Sequence, residues 1–250
     1  MTVGSLHGKV AIITGAARGI GAAIGKRFAA EGAAVSLSYL SRESEARVTA
    51  EGIRAGGASA ILTRADVRQQ QDVQRLFDET VKHFGKVDIV VNNAAVNQRM
   101  TVENITEQQF RHHFDVNVLG MLLMAQEATR HLQRDGCILN ISSLSSTIPS
   151  AGSALYGGSK AAVDAITATL AVELGPKGIR VNAINPGVTQ TEQLDEQSFV
   201  TPELRAYVSN MTPLRRLGVP DDIAAAAVLL CSGDAGWITG QCVRLSGGFR

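Results

Sequence analysis

The stretch that most restricts the fold is a short β-branched run that passes through a glycine-rich turn directly into a helical segment. Lys9-Val-Ala-Ile-Ile-Thr14 is followed by Gly15-Ala-Ala-Arg18-Gly19-Ile20-Gly21, and the helical pattern then continues to about Glu31, where Gly32 closes it. An unbroken apolar run of this length reads as a strand buried on both faces, as in a parallel sheet. Glycines between such a strand and a helix permit a tight turn and a close approach of backbone to a ligand. The helix N-terminus then offers free N–H groups and a positive dipole end to a pyrophosphate. Gly15, Arg18, Gly19, Ile20 and Gly21 are therefore candidate dinucleotide contacts. A parallel strand cannot stand alone, so the rest of the chain must supply its neighbours.

It does so in alternation. Apolar runs at 34–39, 59–63, 87–91, 137–141, 179–185 and 241–245 follow the first strand. Helical patterns at 43–55, 69–84, 107–131, from Tyr156 through 174, and an Ala-rich stretch ending at Cys231 separate them. Seven strands alternating with helices imply a doubly wound α/β (Rossmann) domain, a seven-stranded parallel sheet flanked by helices. No internal repeat, low-complexity run or linker divides the chain, so one domain over residues 1–250 is expected. An apolar fraction of 45% supports a sizeable core, and an aromatic fraction of only 4% predicts packing by Ala, Val, Ile and Leu. The formal charge of +1 gives no reason to expect a nucleic acid or an anionic membrane as partner. Cys137, Cys231 and Cys242 are scattered, with no Cys-x-x-Cys, so neither a disulfide framework nor a metal site is expected. Residues 1–9 lack the apolar core of a signal peptide, and the longest apolar run, 223–231, is too short to span a bilayer. A cytoplasmic protein is the expectation.

The candidate chemistry lies in the second half. A strand ends in Ser142-Ser143, a Ser/Pro/Gly loop follows, and the next helix carries Tyr156 and Lys160 near its start. Residues i and i+4 share a helical face, so phenol and ammonium are neighbours. A free tyrosine titrates at roughly 10, and a cation beside it favours the phenolate. Such a pair suits general acid/base work at a carbonyl–alcohol interconversion. Ser143 can add a hydroxyl hydrogen bond to the same substrate oxygen, with Ser145 and Ser153 as further candidate substrate contacts. Read alone, the pair is common on helices and the serines are ordinary turn formers.

Taken together, Thr14-Gly-x-x-x-Gly-x-Gly21, Asn92-Asn-Ala94, Ser143, Tyr156-x-x-x-Lys160 and Pro186-Gly187 resemble the short-chain dehydrogenase/reductase family, from about Gly8 to Gly248. Within it the chain looks most like 3-oxoacyl-(acyl-carrier-protein) reductases. The resemblance implies that Asp66 and Val67 contact the adenine, and that Asn93, Ala94 and Ala95 support the nicotinamide side. Ala95 stands where a glycine is usual, a variation expected to be tolerated. It implies that Asn117 kinks the 107–131 helix and holds a water linking Lys160 to solvent, completing a tetrad with Ser143, Tyr156 and Lys160. Pro186, Gly187, Val188, Thr189 and Thr191 are implied to meet the nicotinamide carboxamide. The polar segment at about 190–212, with Leu194, Phe199 and Tyr207, is expected to form a helical substrate lid. At the end of the second strand, Tyr39-Leu40-Ser41-Arg42 carries no acid to bind a ribose 2′-hydroxyl. Ser41 and Arg42 there, with Tyr39 beside them and Arg18 in the turn, favour NADP(H) over NAD(H). Leu40 stands where many NADP-using members carry arginine, and Glu43 is expected to cap the following helix.

Rival readings are weaker. Gly157-Gly-Ser159-Lys-Ala161 loosely resembles a nucleophile elbow, but no strand leads into Ser159 and all five histidines precede it. His112 and His113 are adjacent and cannot share a helical face as metal ligands. A non-catalytic dinucleotide sensor would keep the glycine turn without needing Tyr156 and Lys160. The expected activity is interconversion of a ketone, a 3-oxoacyl thioester among the candidates, and a secondary alcohol; glucose-dehydrogenase-like oxidation is the alternative within the family. Arg134 and Lys177 match positions where 3-oxoacyl reductases meet their acidic carrier protein, the candidate macromolecular partner. The family is commonly tetrameric, and the apolar 121–125 stretch and Ala-rich helix faces fit a homotetramer.

Overall fold

The computed structural model describes residues 4–196 and 201–249. Among these, strands β1 (Val10–Ile13), β2 (Ala34–Tyr39), β3 (Ala60–Arg64), β4 (Ile89–Asn92), β5 (Cys137–Ile141), β6 (Arg180–Pro186) and β7 (Cys242–Leu245) form one sheet, in the order β3-β2-β1-β4-β5-β6-β7. Every pairing is parallel. The register explains why these runs are strands. Ile12 pairs with Val90, Val90 with Ile138, and Ile138 with Val181, giving one lateral row of branched side chains on a single face. The residues on either side, such as Ile13, Val91 and Leu139, form the next row on the opposite face. Because side chains alternate with period two, each strand must be apolar at every position to serve both faces.

The helices divide between those faces. α1 (Gly19–Ala30), α2 (Glu43–Ala55) and α9 (Pro220–Cys231) pack Ile24, Phe28, Ile53, Ile223, Ala224 and Ala227 against Ala11, Ile13, Val35, Leu37 and Leu139. On the other side, α3 (Gln70–Phe84), α5 (Gly120–His131) and α6 (Ala154–Leu174) pack Leu76, Phe77, Met124, Ala128 and Leu174 against the Ile12 row. α4 (Glu107–Phe114), α7 (Glu192–Asp195) and α8 (Pro202–Met211) complete the helices of the described residues. The many alanines let α1 and α9 approach closely, so two large rings, Phe28 and Phe77, suffice as fully buried aromatic fillers.

Four expectations are corrected here. The single helix over 107–131 is two helices, α4 and α5, joined by a π-helical turn at Asp115–Leu119 that contains Asn117. Most of the 121–125 stretch faces the core: Met121, Met124 and Ala125 are buried, and of the apolar residues there only Leu122 is exposed. On α6, by contrast, Ala161, Ala165, Ala168 and Val172 lie along one exposed stripe, Val172 being 77% accessible. The expected strand at 87–91 begins later, at Ile89, because Asp88 turns its carboxylate to accept from the Val10 N–H (2.8 Å) and pairs with Lys86 (3.0 Å). Glu43 opens the first turn of α2 and pairs with Arg47; Arg42 holds the N-cap position, without a side-chain cap bond. Phe199 of the expected lid lies outside the described residues.

The π turn also sets a steric condition. A Cβ at Gly120 would stand 2.6 Å from Cγ2 and 3.0 Å from Cβ of Val67. In open space, Gly120→Ala would gain about 1 kcal/mol of helix propensity. Overlap with the branched Val67 reverses the sign, and a net loss of about 1–2 kcal/mol is expected, read from the urea midpoint. A variant more stable than the parent would show that Val67 yields freely.

Candidate active site

In a parallel sheet all strands end at one edge, and the candidate residues are the residues that follow those ends. The glycine turn after β1 is stapled to the segment after β4. Thr14 Oγ donates to Val91 O (3.3 Å) and accepts from the N–H groups of Asn93 (3.0 Å) and Ala94 (3.1 Å). The Asn93 amide donates to the carbonyls of Thr14 (2.9 Å) and Gly15 (3.0 Å). Gly15 has φ +63° and Gly19 φ +58°, the left-handed region that glycine enters without strain. A side chain at Gly21 would meet Asn93 Nδ2 and Gly15 O at 2.5 Å. Ala95 has an ordinary negative φ, which explains why alanine is accommodated there.

This turn opens one end of a cleft with a volume of about 770 Å³, large enough for a dinucleotide with room beyond it. Along it lie Arg18, Tyr39, Ser41 and Arg42 at one end, Asp66 and Val67 on the wall, and Ser143, Tyr156 and Lys160 at the other end. The donor set fits a nicotinamide dinucleotide: bare glycine backbone at the turn, the Arg18 guanidinium in that turn and the Arg42 guanidinium just beyond β2, and no carboxylate on the Tyr39–Arg42 corner. Asp66 precedes the Gln69 N-cap of α3. Its carboxylate accepts from the Arg68 N–H (3.0 Å) and is forked by the Arg68 guanidinium (2.6 Å at the shortest), which holds the carboxyl below the usual range. A carboxylate from α7's C-terminal side, Glu196, bridges the two cations: Arg18 makes a two-pronged pair with it, and Arg42 reaches its Oε2 at 3.4 Å.

At the far end, β5 delivers Ser143 and α6 delivers Tyr156 and Lys160. The Ser143 hydroxyl shares the cleft wall with the Tyr156 phenol and accepts from the Ser145 N–H (3.1 Å). Lys160, 3% exposed, donates to Ile141 O (2.7 Å) with Nζ 5.9 Å from the Tyr156 ring centre. Asn117 is tied to two elements. Its amide pairs with the Val96 N–H (2.8 Å) and Val96 O (3.0 Å), and it donates to Ser159 Oγ (2.9 Å), one residue before Lys160. Beneath the site, Asn92 donates to Asn140 (2.9 Å) and Asn140 to Thr167 (2.8 Å). A pocket of about 10 Å³ is bounded by Asn92, Asn117, Asn140 and Lys160 among others, and Asn92 Oδ1 has no partner within the protein.

The cleft thus gathers every expected cofactor residue, from the glycine turn through Asn93, Ala94 and Ala95 to Pro186, Gly187, Val188, Thr189 and Thr191. Ser145 lines it too. Ser153 does not: its hydroxyl is engaged with Ser150 Oγ (2.6 Å), and Ser150 takes its place on the wall. Ser159 is a buried helix residue donating to Tyr156 O (2.7 Å), in keeping with rejection of the elbow reading. His113 is buried against Gln98 N and Gln109 O while His112 lines the cleft, so the two histidines diverge. Among the described residues no cluster of three or more His, Cys, Asp or Glu is placed to hold a metal, and no helix is long and apolar enough to cross a membrane. Sequence reasoning missed Val96, Ile148, Val208, Phe249 and Glu196, which reach the cleft from loops and from α8 with no local motif to mark them.

The electrostatics depart from the expectation. Burial pushes the Tyr156 phenol above its usual value, and the nearby Ser143 hydroxyl opposes this without cancelling it. Burial lowers Lys160 from 10.5 to about 8, with Asp164 opposing. Both groups occupy the same dry region, and desolvation of each charged form outweighs the help that either gives the other. The unfolded chain therefore binds the lysine proton more readily than the folded one between about pH 8 and 10.5, and in that window stability rises with pH. Lys160→Met removes the penalty. Its stability advantage over the parent, from urea denaturation, should be fully present at pH 7 and shrink by about 2–3 kcal/mol by pH 10. A pH-independent difference would show that the amine is not desolvated.

Comparison with known proteins agrees with this geometry. A family model described as enoyl-(acyl carrier protein) reductase matches residues 15–250. The 3β-hydroxysteroid dehydrogenase 1 of Eggerthella lenta is 38% identical over 246 residues, covering 97% of this chain and 94% of its own. A short-chain dehydrogenase from Burkholderia cenocepacia J2315, solved in complex with NADP, superimposes with a TM-score of 0.91 at 34% identity, covering 98% of each chain. A 7α-hydroxysteroid dehydrogenase, solved with NADH and 7-oxo glycochenodeoxycholic acid, gives a TM-score of 0.93 at 37% identity, covering 98% of this chain and 95% of that one. With the seven-stranded parallel sheet, the glycine turn and the Ser143–Tyr156–Lys160 cluster in one cleft, the chain belongs to the short-chain dehydrogenase/reductase family of oxidoreductases.

Proposed function

We propose that this protein is an NADP(H)-dependent oxidoreductase interconverting a ketone and a secondary alcohol, with Tyr156 as general acid/base. The observation that carries the reading is the gathering of Ser143, Tyr156 and buried Lys160, its Nζ 5.9 Å from the Tyr156 ring centre, in one cleft with the glycine turn and its cations. A nicotinamide bound between the turn and Pro186–Thr191 supplies hydride chemistry. Tyr156 gives its proton to the developing alkoxide in reduction and takes it back in oxidation. Ser143 donates to the same oxygen, and Lys160 orients the cofactor ribose and holds positive charge near the phenol. The raised phenol value keeps Tyr156 protonated through neutral pH, the form a reduction needs. Asn117 positions the Lys160 turn of α6, and the small polar pocket between them suits one water molecule, which would resupply protons.

Arg18, Ser41 and Arg42, with no acid on the β2 corner, support NADP(H) over NAD(H); a guanidinium pair complements a 2′-phosphate dianion. For substrate, the cleft lining includes apolar Val96, Ile148, Pro149, Leu194, Val208 and Phe249 beside polar Asn97, Ser145 and Ser150, a mix suited to a bulky, largely hydrophobic ketone. That lining favours a ring ketone of the kind bound by the 7α-hydroxysteroid relative, or a 3-oxoacyl chain, over a sugar such as glucose. Arg134 and Lys177 give a carrier protein little support. They lie where Asp135 N–H meets Gly178 O (2.9 Å), at the strand starts opposite this chain's own cleft. α7 and α8 serve as the substrate lid, and the exposed Ala161–Val172 stripe of α6 is where a homotetramer would bury apolar surface.

Tyr156→Phe is expected to lower turnover of a reactive hydrophobic ketone by about 10²- to 10⁴-fold while leaving NADPH binding within about twofold. Initial rates and a fluorescence titration measure the two. Unchanged turnover removes the proposed role. Tight NADPH binding with no turnover in the parent, across steroid ketones, 3-oxoacyl thioesters and glucose, favours the sensor reading.

A further inference from the structure

The contact that the fold least requires is the one made by Glu196. Its carboxylate is held in both oxygens by the Arg18 guanidinium, and Oε2 lies 3.4 Å from Arg42. The two cations come from separate elements, the glycine turn and the β2–α2 corner, and the acid from beyond α7. The Arg18 side chain is only 17% exposed, whereas Glu196 is 52% exposed and reaches in from solvent. An exposed ion pair of this kind contributes little to folding stability. Its position is more telling, because the bridged cations are those that the cofactor reading assigns to the 2′-phosphate.

Resting on that reading, we propose that Glu196 is a specificity-determining residue that competes for the anion seat between Arg18 and Arg42. The seat is closed by a carboxylate of this chain until a stronger anion displaces it. A phosphate monoester carries up to two charges and three acceptor oxygens against one charge and two oxygens for Glu196. A 2′-phosphorylated cofactor therefore wins the seat, at an affinity reduced by the competition. A cofactor with a free 2′-hydroxyl leaves the Glu196 bridge standing and is unaffected. The device narrows the gap between NADP(H) and NAD(H) that Arg18 and Arg42 would otherwise set. It also ties release of the α7 segment to the arrival of the phosphate, since Thr191, which caps α7 by accepting from the Leu194 N–H (3.2 Å), sits against Gly19 of the turn.

The test uses the full chain and two fragments, 2′,5′-ADP and 5′-AMP, with binding measured by calorimetry at fixed ionic strength. Glu196→Gln preserves shape and removes the charge. It should tighten 2′,5′-ADP by roughly three- to tenfold and leave 5′-AMP within about twofold. No tightening of 2′,5′-ADP, a weakening, or an equal gain for both fragments overturns the proposal. Arg18→Ala and Arg42→Ala separate this from the cofactor reading. If they weaken 2′,5′-ADP while Glu196→Gln changes nothing, the NADP(H) reading stands and Glu196 is not a competitor. If the parent binds both fragments alike and the arginine variants are silent, the two readings fail together.

Discussion

The Thr14 hydroxyl uses its full hydrogen-bonding capacity, one donor and two acceptor sites, and everything at the cleft depends on that. A parallel sheet guarantees that the strand ends share an edge; it does not fix the turns that follow them. β1 and β4 are neighbours at the point where the strand order reverses, so the turn after β1 and the segment after β4 leave in opposite directions and open a crevice. Thr14 and the Asn93 amide hold the two lips at a set separation. The glycines then follow from contact: Gly21 lies against Asn93 and Gly15 O, where no side chain has room.

The same crevice that buries Tyr156 and Lys160 alters their proton affinities. Tyr156 and Lys160 were expected to lower the phenol's proton affinity through charge proximity. Instead, desolvation acts on both, raising the phenol and lowering the amine to about 8. The result is a site in which the neutral phenol is the resting form and the amine is brought nearer to neutrality. The Ser143 hydroxyl on the same cleft wall has its position fixed by the Ser145 N–H.

Much of this was legible in the chain because the responsible signals are local. Ile12, Val90, Ile138 and Val181 announce buried parallel strands by their branching, and Gly15 to Gly21 announce the turn by spacing. Tyr156 and Lys160 share a face by helix geometry alone. What was not legible depends on tertiary approach. Nothing in the neighbourhood of Glu196 says that it meets Arg18, since 178 residues separate them. Ser153 looked equivalent to Ser145 in composition, yet its Ser150 contact turns it from the cleft. Met121 and Met124 looked like a surface patch because an all-apolar stretch does not reveal which side of α5 meets the sheet. The helix break at Asp115–Leu119 was foreseen as a kink at Asn117, but its form, a widened π turn, follows from contacts with Val96 and Ser159 that the sequence does not display.

That widened turn links the two ends of the cleft. In a regular helix the Asn117 amide would compete with the backbone ladder, and asparagine is accordingly disfavoured there. Opening the turn frees its amide to pair with both backbone groups of Val96 and to donate to Ser159. The first pairing fixes the segment after β4; the second fixes the register of α6, and with it the Lys160 amine under Ile141 O. Three residues further along the helix, the same rotation brings Gly120 flush against Val67 on the cleft wall. One added residue per turn therefore sets both the height of Lys160 and the position of Val67, two residues that line the cleft. A substitution that relaxes the π turn to an ordinary α turn must disturb both ends of the cleft together.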